Sequence, residues 1–301
     1  MLTLGPATVE RIVDIDRFAL PLGMIFPGAT LDALAGARDW LDPHHVDFAE
    51  ETVLLGVQSH LLRVGGKIIL IDTCVGEHKP RPRRPDWHDR QATGYLTRLK
   101  AAGVRPGDVD AVFCTHLHAD HVGWNTRLDN GRWAPTFPNA RYLIGRAELA
   151  HWAAEEARAP GEANHDAYAD SVLPVIDAGL AEEVDDGADL GLGLAIDRGT
   201  LRALDLAGHS PGQIGLCLRH AHGRAIFCGD AIHSPAQLHR PDWVSAFCAD
   251  PDRARATRAR MLEDAAGDGA LIVPGHLRGP MAFRPEPCAT PVGAAWRPVW
   301  A

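Results

Sequence analysis

The sequence predicts an α/β protein in which two sheets stack face to face with helices outside. Three observations carry that prediction. From residue 52 strand and helix signals alternate, the second half repeats the scheme of the first, and each half holds a hairpin running into an aspartate. HLLRVGGKIILID ends at Asp72, and GLCLRHAHGRAIFCGD ends at Asp230. Two such halves would bury their apolar faces by stacking sheet on sheet; two unrelated hairpins are the plainer reading of the same echo.

Thr52–Val64 and Lys67–Asp72 are β-rich runs joined at Gly65-Gly66, a hairpin turn. Arg90–Ala102 has helical spacing and closes on Gly103. Val109–Cys114 and Arg141–Ile144 read as short strands, with a helix from Arg146 to Arg158. In the second half Leu201–Leu206 is a strand, Gly208–Gly212 a loop, and Gln213–Arg219 pairs with Arg224–Cys228. Pro251–Ala266 is a helix and Ala270–Val273 the last strand. Residues 1–50 and 281–301 lack clear periodicity. They read as an N-terminal extension shaping a pocket, with one strand at Glu10–Ile15, and as a C-terminal tail, all on one domain spanning 1–301. Trp296 and Trp300 would anchor that tail or a homodimer partner.

Composition bounds the function. With 46% hydrophobic and 23% charged residues the 301-residue chain matches an ordinary soluble globular protein. No apolar run approaches the roughly 18 residues of a membrane span. Thirty basic against thirty-nine acidic residues give a net charge of −9, a poor basis for gripping nucleic acid. The one basic run, Lys79–Arg84 (KPRPRR), is Pro-interleaved and reads as a solvated loop. The N-terminus shows no basic stretch ahead of an apolar core, and the six cysteines are scattered without a CxxC pair. A reduced, cytoplasmic protein is the expectation.

The chemistry lies in the histidines. Residues 115–121 read THLHADH directly after a buried strand, and imidazole and carboxylate are ligands that Zn²⁺ and similar cations prefer. On a loop leaving a strand, His116 and His118 can face one way while Asp120 and His121 face another, which suits two neighbouring ions. His209 in AGHSPGQ, Asp230 in FCGDAIH and His276 in IVPGHLRG also sit at strand exits among small residues. Five histidines and two aspartates fit a dinuclear site with Asp230 as the bridge. No GxSxG elbow offers a serine nucleophile instead.

This pattern, from about residue 52 to 280, resembles the metallo-β-lactamase fold hydrolases. The resemblance implies a four-layer αββα sandwich of two mixed sheets with metals at one edge. It implies that His116, His118 and His209 hold one ion, that Asp120, His121 and His276 hold the other, and that Asp230 bridges them. Asp72 matches the family's structural aspartate and would brace the metal loop. The ions would be two divalent metals, zinc first, with Mn, Fe or Co as alternatives, sharing a hydroxide that attacks the substrate. Asp120 would also orient that hydroxide or pass its proton on.

Departures narrow the branch. True β-lactamases of this fold usually lack an acid at the Asp230 position, and nuclease and flavodiiron members carry modules absent here. Acyl-homoserine lactonases have a tyrosine three residues past the bridging aspartate; this chain has His233, as methyl parathion hydrolase relatives do. The expectation is an ester or lactone hydrolase of the lactonase and methyl parathion hydrolase-like branch with a small-molecule substrate. Weak phosphotriesterase activity would accompany it. Alternatives are a glyoxalase II-like thioesterase and, from another class, a non-hydrolytic metal-binding or di-iron redox protein. His233 is read as a contact to the oxyanion or leaving group, or as a capping histidine. Trp124 is read as a pocket wall or a core residue, and Phe26 and Met24 as pocket closures from the extension.

Overall fold

The chain's apolar runs divide between two faces of each strand, and that division builds four layers. The computed structural model describes residues 1–301 apart from 191, 194–198, 222, 291 and 292. The first sheet begins with β1 (Leu2–Leu4), β2 (Ala7–Pro21), β3 (Val46–Asp47), β4 (Thr52–Val64), β5 (Lys67–Ile71) and β6 (Ala111–Cys114). A separate hairpin, β7 (Thr126–Asp129) with β8 (Arg132–Pro135), precedes β9 (Arg141–Gly145) and β10 (Ala181–Val184), which complete the sheet. Its order is β1-β2-β4-β5-β6-β9-β10 with β3 beside β4, and β5, β6, β9 and β10 run parallel. The second sheet follows chain order through β11 (Thr200–Asp205), β12 (Ile214–His220), β13 (Gly223–Gly229), β14 (Leu271–Pro274), β15 (Phe283–Thr290) and β16 (Gly293–Trp300). There β13 and β14 pair in parallel and the other neighbours antiparallel.

Successive side chains of a strand point to opposite faces. Leu62, Ile69, Ile71 and Phe113 of the first sheet meet Leu216, Leu218, Phe227 and Val273 of the second in the layer between the sheets. Their alternates, Leu61, Leu70, Val112 and Cys114, face outward against α1 (Tyr95–Ala101) through Tyr95 and Leu99. Behind the second sheet, Ile226, Cys228 and Ile272 pack on Met261, Leu262 and Ala265 of a long helix. Burial on both faces explains why these strands read as continuous apolar runs. Burying one Leu or Met side chain contributes about 1.5–3 kcal/mol.

The helices start and stop for local reasons. The helix α2 (Arg146–Arg158) has the predicted bounds. The helix α3 (Pro251–Asp268) has Asp250 as N-cap, accepting from the Arg253 amide, Pro251 in its first turn, and left-handed Gly269 after its end. By contrast α1 begins at Tyr95, not Arg90, because Ala92 and Gly94 adopt positive φ (50° and 76°) and break the helical path.

Both ends of the chain belong to the sheets, correcting their reading as appended segments. β2 pairs with β4 from Thr8 to Pro21, but register shifts between Val13 and Ile15 and between Ile15 and Phe18 interrupt its alternation. Residues 283–300 form the β15–β16 hairpin. Prolines are normally kept out of central strands, but β15, which carries Pro285 and Pro287, touches β14 at one register position only, and Pro298 lies on the terminal strand β16, so these prolines interrupt little of the ladder. Trp300 stacks on His45 at 5.2 Å, anchoring the tail within the chain.

The basic run 79–84 is solvated only in part: Pro80, Pro82 and Arg83 are exposed, but Lys79 and Arg81 turn inward. Lys79 and Arg81 are fully buried: Lys79 Nζ donates to Thr126 Oγ1 (2.6 Å), and Arg81 donates to both Asp170 carboxylate oxygens (2.6 and 2.9 Å). Burial pulls the Lys79 ammonium down to about 7 despite Asp170. This pairing fixes a loop whose next members, Arg84 and Trp87, reach a cavity between the sheets' edges.

Candidate metal centre

Parallel strands deliver their C-terminal ends to one edge, and the titratable residues leave there. Asp72 follows β5, His116 to His121 follow β6, Asp230 follows β13, and His276 follows β14 by way of Gly275. His209 comes from the loop between β11 and β12.

The seven residues singled out by spacing meet in space. His118 Nδ1 lies 3.0 Å from His116 Nε2 and 2.8 Å from His209 Nε2. Beside this trio, His121 Nε2 and His276 Nε2 are 3.3 Å apart, with Asp120 Oδ2 at 3.9 and 3.6 Å from them. Asp230 lies between: Oδ1 is 3.4 Å from His121 and 3.2 Å from His276, and Oδ2 is 3.5 Å from His209. Ligand atoms spaced about 3.3 Å apart are what tetrahedral bonds of about 2.0–2.1 Å require. Asp230 Oδ1 and both ring nitrogens of His233 are buried without a hydrogen-bond partner. Converging nitrogens that cannot all satisfy one another, with unpaired buried acceptors beside them, fit divalent cations.

The rings of His121 and His276 are held from behind, which selects the nitrogen each presents. His121 Nδ1 lies 2.9 Å from Asp72 Oδ2, and His276 Nδ1 lies 2.7 Å from the Gly56 carbonyl. The Asp72 carboxylate also accepts from Thr115 N (2.7 Å) and Thr115 Oγ1 (2.8 Å), so it braces the first motif from within the fold. Two further braces were not visible in the sequence. Glu148, fully buried in α2, accepts from Leu117 N (3.0 Å), Ser210 Oγ (2.6 Å), Gly212 N (3.0 Å) and Trp152 Nε1 (2.6 Å). It thereby joins the loop of His116 and His118 to the loop of His209. A Cβ on Gly212 would lie 2.0 Å from the Glu148 amide, so only glycine permits this approach. Asn164 accepts from Ala119 N (3.1 Å) and donates to Leu117 O (2.6 Å), clamping the other side of that loop. The only signal for Glu148 was an acid in the first turn of a helix, which ordinarily marks helix capping.

The electrostatics separate the trio from the pair. Burial, reinforced by neighbouring imidazoles, pushes His116 well below the usual histidine range; it also lowers His118 and His209, against the pull of nearby carboxylates. Burial opposes a proton on His121 and His276 as well, but Asp230 and its neighbouring acids override it and raise both. The Asp230 carboxyl is held well below the carboxylate range, burial being outweighed by His276, His121 and His233. His233 drops to about 4, through burial above all, so its ring is neutral near pH 7. Its Nε2 lies 3.3 Å from Asp230 Oδ2 and its ring 4.7 Å from that of His209.

Above this cluster opens a cavity of about 250 Å³. Phe18, Leu20 and Trp87 line one side, and Trp152 and Phe247 are also among its walls. The N-terminal segment therefore reaches the cavity through Phe18 and Leu20, not through the two residues expected. Phe26 is buried against Trp243 (ring centroids 5.6 Å), and Met24 is 49% exposed and lies outside the lining. Trp124 likewise is core, stacked on Tyr95 at 5.0 Å. Phe26 and Trp124 are held by packing partners distant in sequence, whereas Met24 faces solvent.

Comparison with known proteins agrees with this geometry. Residues 52–276 match the family model of the metallo-beta-lactamase superfamily. A curated relative, N-acyl homoserine lactonase AttM of Azorhizobium caulinodans, is 26% identical over 188 residues, 62% of this chain. The match spans 65% of that relative's length, just under two thirds. Among solved structures, the hydrolase AbOPH of the beta lactamase superfamily superposes with a TM-score of 0.76 at 22% identity, covering 100% of this chain and 97% of that one. AidC, a dizinc quorum-quenching lactonase, gives 0.75 at 21% identity over 99% and 96% of the two chains. Among the described residues no helix is long and apolar enough to cross a membrane. With three quarters of its length under the family model and the fold to match, the chain belongs to the metallo-β-lactamase superfamily.

Proposed function

We propose that this metal-dependent hydrolase cleaves a carboxyl ester or lactone with a pair of divalent ions, zinc in the first place. The observation that supports it best is the placement of Asp230 between two three-residue clusters at the floor of an apolar-walled cavity. His116, His118 and His209 would hold one ion, and Asp120, His121 and His276 the other, with Asp230 shared. Bound there, such ions supply an activated water and Lewis-acid polarisation of the substrate oxygen. The protein's own groups do the rest. Asp120 is the least buried of the ligand carboxylates, its side chain 15% exposed against 5% for Asp230, and so can orient a nucleophilic water or carry its proton to the leaving group. The neutral His233 ring, whose nitrogens make no hydrogen bond although Nε2 lies 3.3 Å from Asp230 Oδ2, would offer an N–H to the oxygen on which charge develops. The aromatic walls lower the local dielectric, which would strengthen both interactions. The AttM likeness favours a lactone, and AidC carries two zinc ions by its description.

A substrate panel tests this reading. Aryl esters, γ- and δ-lactones, acyl-homoserine lactones, phosphotriesters, S-lactoylglutathione and a cephalosporin would be compared by kcat/KM. Esters or lactones should lead, with phosphotriesters slower. S-Lactoylglutathione as the clear best substrate would move the assignment to a thioesterase. On the best substrate, His233→Ala should lower kcat by about 10–1,000-fold with both ions retained. Near-normal kcat would make His233 a packing residue.

A further inference from the structure

The cavity carries a cation that the hydrolysis above does not use. Arg84 lines the same cavity as His118, Asp120 and Asp230, on the loop fixed by the buried Lys79 and Arg81 contacts to Asp170. Its guanidinium carbon lies 4.5 Å from the Trp87 ring centroid and 5.0 Å from that of Phe18. Among the described residues, its side chain has neither a salt-bridge partner nor a hydrogen-bond acceptor, unlike Arg81 and Arg90, each paired with an aspartate.

The charge count makes this unpaired cation informative. Among the described residues, the only carboxylates lining the cavity are Asp120 and Asp230, both in the ligand cluster. Two divalent ions would bring +4 against −2 from these carboxylates and −1 from a shared hydroxide, and Arg84 adds a further +1, in a cavity otherwise walled by neutral and aromatic side chains. A neutral ester or lactone would leave the Arg84 charge partly desolvated and unanswered. A guanidinium laid on aromatic faces keeps its N–H edge free, and that edge matches the two oxygens of a carboxylate. The cavity, about 250 Å³, is below the roughly 300–1,000 Å³ that holds drug-sized ligands, so the substrate is short.

We infer that Arg84 is a specificity-determining residue that binds a carboxylate on the substrate, remote from the scissile carbonyl. The preferred substrate class is then a short acidic ester or lactone. This inference rests on the hydrolase reading above and names its substrate class.

The test pairs each acid with its neutral twin. The 4-nitrophenyl monoester of glutaric acid and its methyl-capped diester would be hydrolysed by the metal-loaded wild type, Arg84→Gln and Arg84→Lys. In parallel, calorimetry would follow binding of 3-phenylpropionate and 3-phenylpropanamide, which are not turned over. The wild type should favour the acid by about 10–100-fold in kcat/KM, chiefly through KM, as a charge-assisted bidentate contact implies. Arg84→Gln should bring that ratio toward parity, and Arg84→Lys should keep an intermediate part of it, because the charge remains and the fork is lost. The phenylpropionate dissociation constant should rise in Arg84→Gln by a similar factor, with the amide far less affected. A wild-type ratio near one, or a preference that survives in Arg84→Gln, would overturn the inference; the latter would place the carboxylate at the metal centre. If neither ester is cleaved with both ions bound, the ester part of the proposed function falls, while calorimetry still decides for or against Arg84.

Discussion

Asp230→Ala should lower the bound metal from about two ions per chain to one or fewer and cut kcat/KM by at least about 1,000-fold. The reason is geometric. Asp120 belongs to one cluster, whereas Asp230 approaches His121 and His276 on one side and His209 on the other. Without it, buried imidazoles face one another with no bridging charge, and two cations would repel across a low-dielectric gap. Asp230→Asn separates shape from charge. It fills the same volume, so a comparable loss in the asparagine variant assigns the effect to the carboxylate. Elemental analysis and steady-state rates on the same samples make the measurement. Two ions with near-normal turnover in either variant would remove Asp230 from the centre of the account.

Glu148 should matter almost as much, although it touches no candidate ion. Its carboxylate is fully buried and accepts from two backbone amides, a serine hydroxyl and an indole N–H. Glu148→Ala leaves these donors unpaired and should cost about 3–5 kcal/mol in urea unfolding, the range for breaking a buried charged network. Stability alone would not distinguish a bolt from a positioning residue. Glu148→Gln keeps the volume and serves that purpose. Because Glu148 joins the loops of His116, His118 and His209, the ion held by that trio should bind about 10–100-fold more weakly, as for lost outer contacts to metal ligands. The ion at Asp120, His121 and His276 should shift much less, and chelator competition reads the two separately. Equal weakening of both, or of neither, would leave Glu148 a purely structural residue.

The parts of this protein legible in sequence are those set by local chemistry. THLHADH after a buried strand is conspicuous by its spacing, and His209, Asp230 and His276, each unremarkable alone at a strand exit, become legible together with it as five histidines and two aspartates. The strand Thr52–Val64 and the helix Arg146–Arg158 have the predicted bounds, since period and end signals lie within each segment. What stayed hidden depends on partners far along the chain. Bulges at Val13–Phe18 scrambled the alternation of β2, and three prolines disguised β15 and β16. Lys79 and Arg81 look solvated until Asp170, about ninety residues away, is seen to receive them. Phe18 and Trp87 line the cavity while Trp124 and Phe26 do not, a matter of tertiary packing that one-dimensional pattern does not encode.

The central claim is that hydrolysis depends on two ions held by the His116–His276 constellation. Stripping the protein with a chelator and titrating Zn²⁺ or Mn²⁺ back, with bound metal and ester or lactone cleavage read at each step, tests it most directly. Activity should be absent in the stripped protein and should rise to a plateau only at about two equivalents. Cleavage that persists without metal, or is complete at one equivalent, would contradict it.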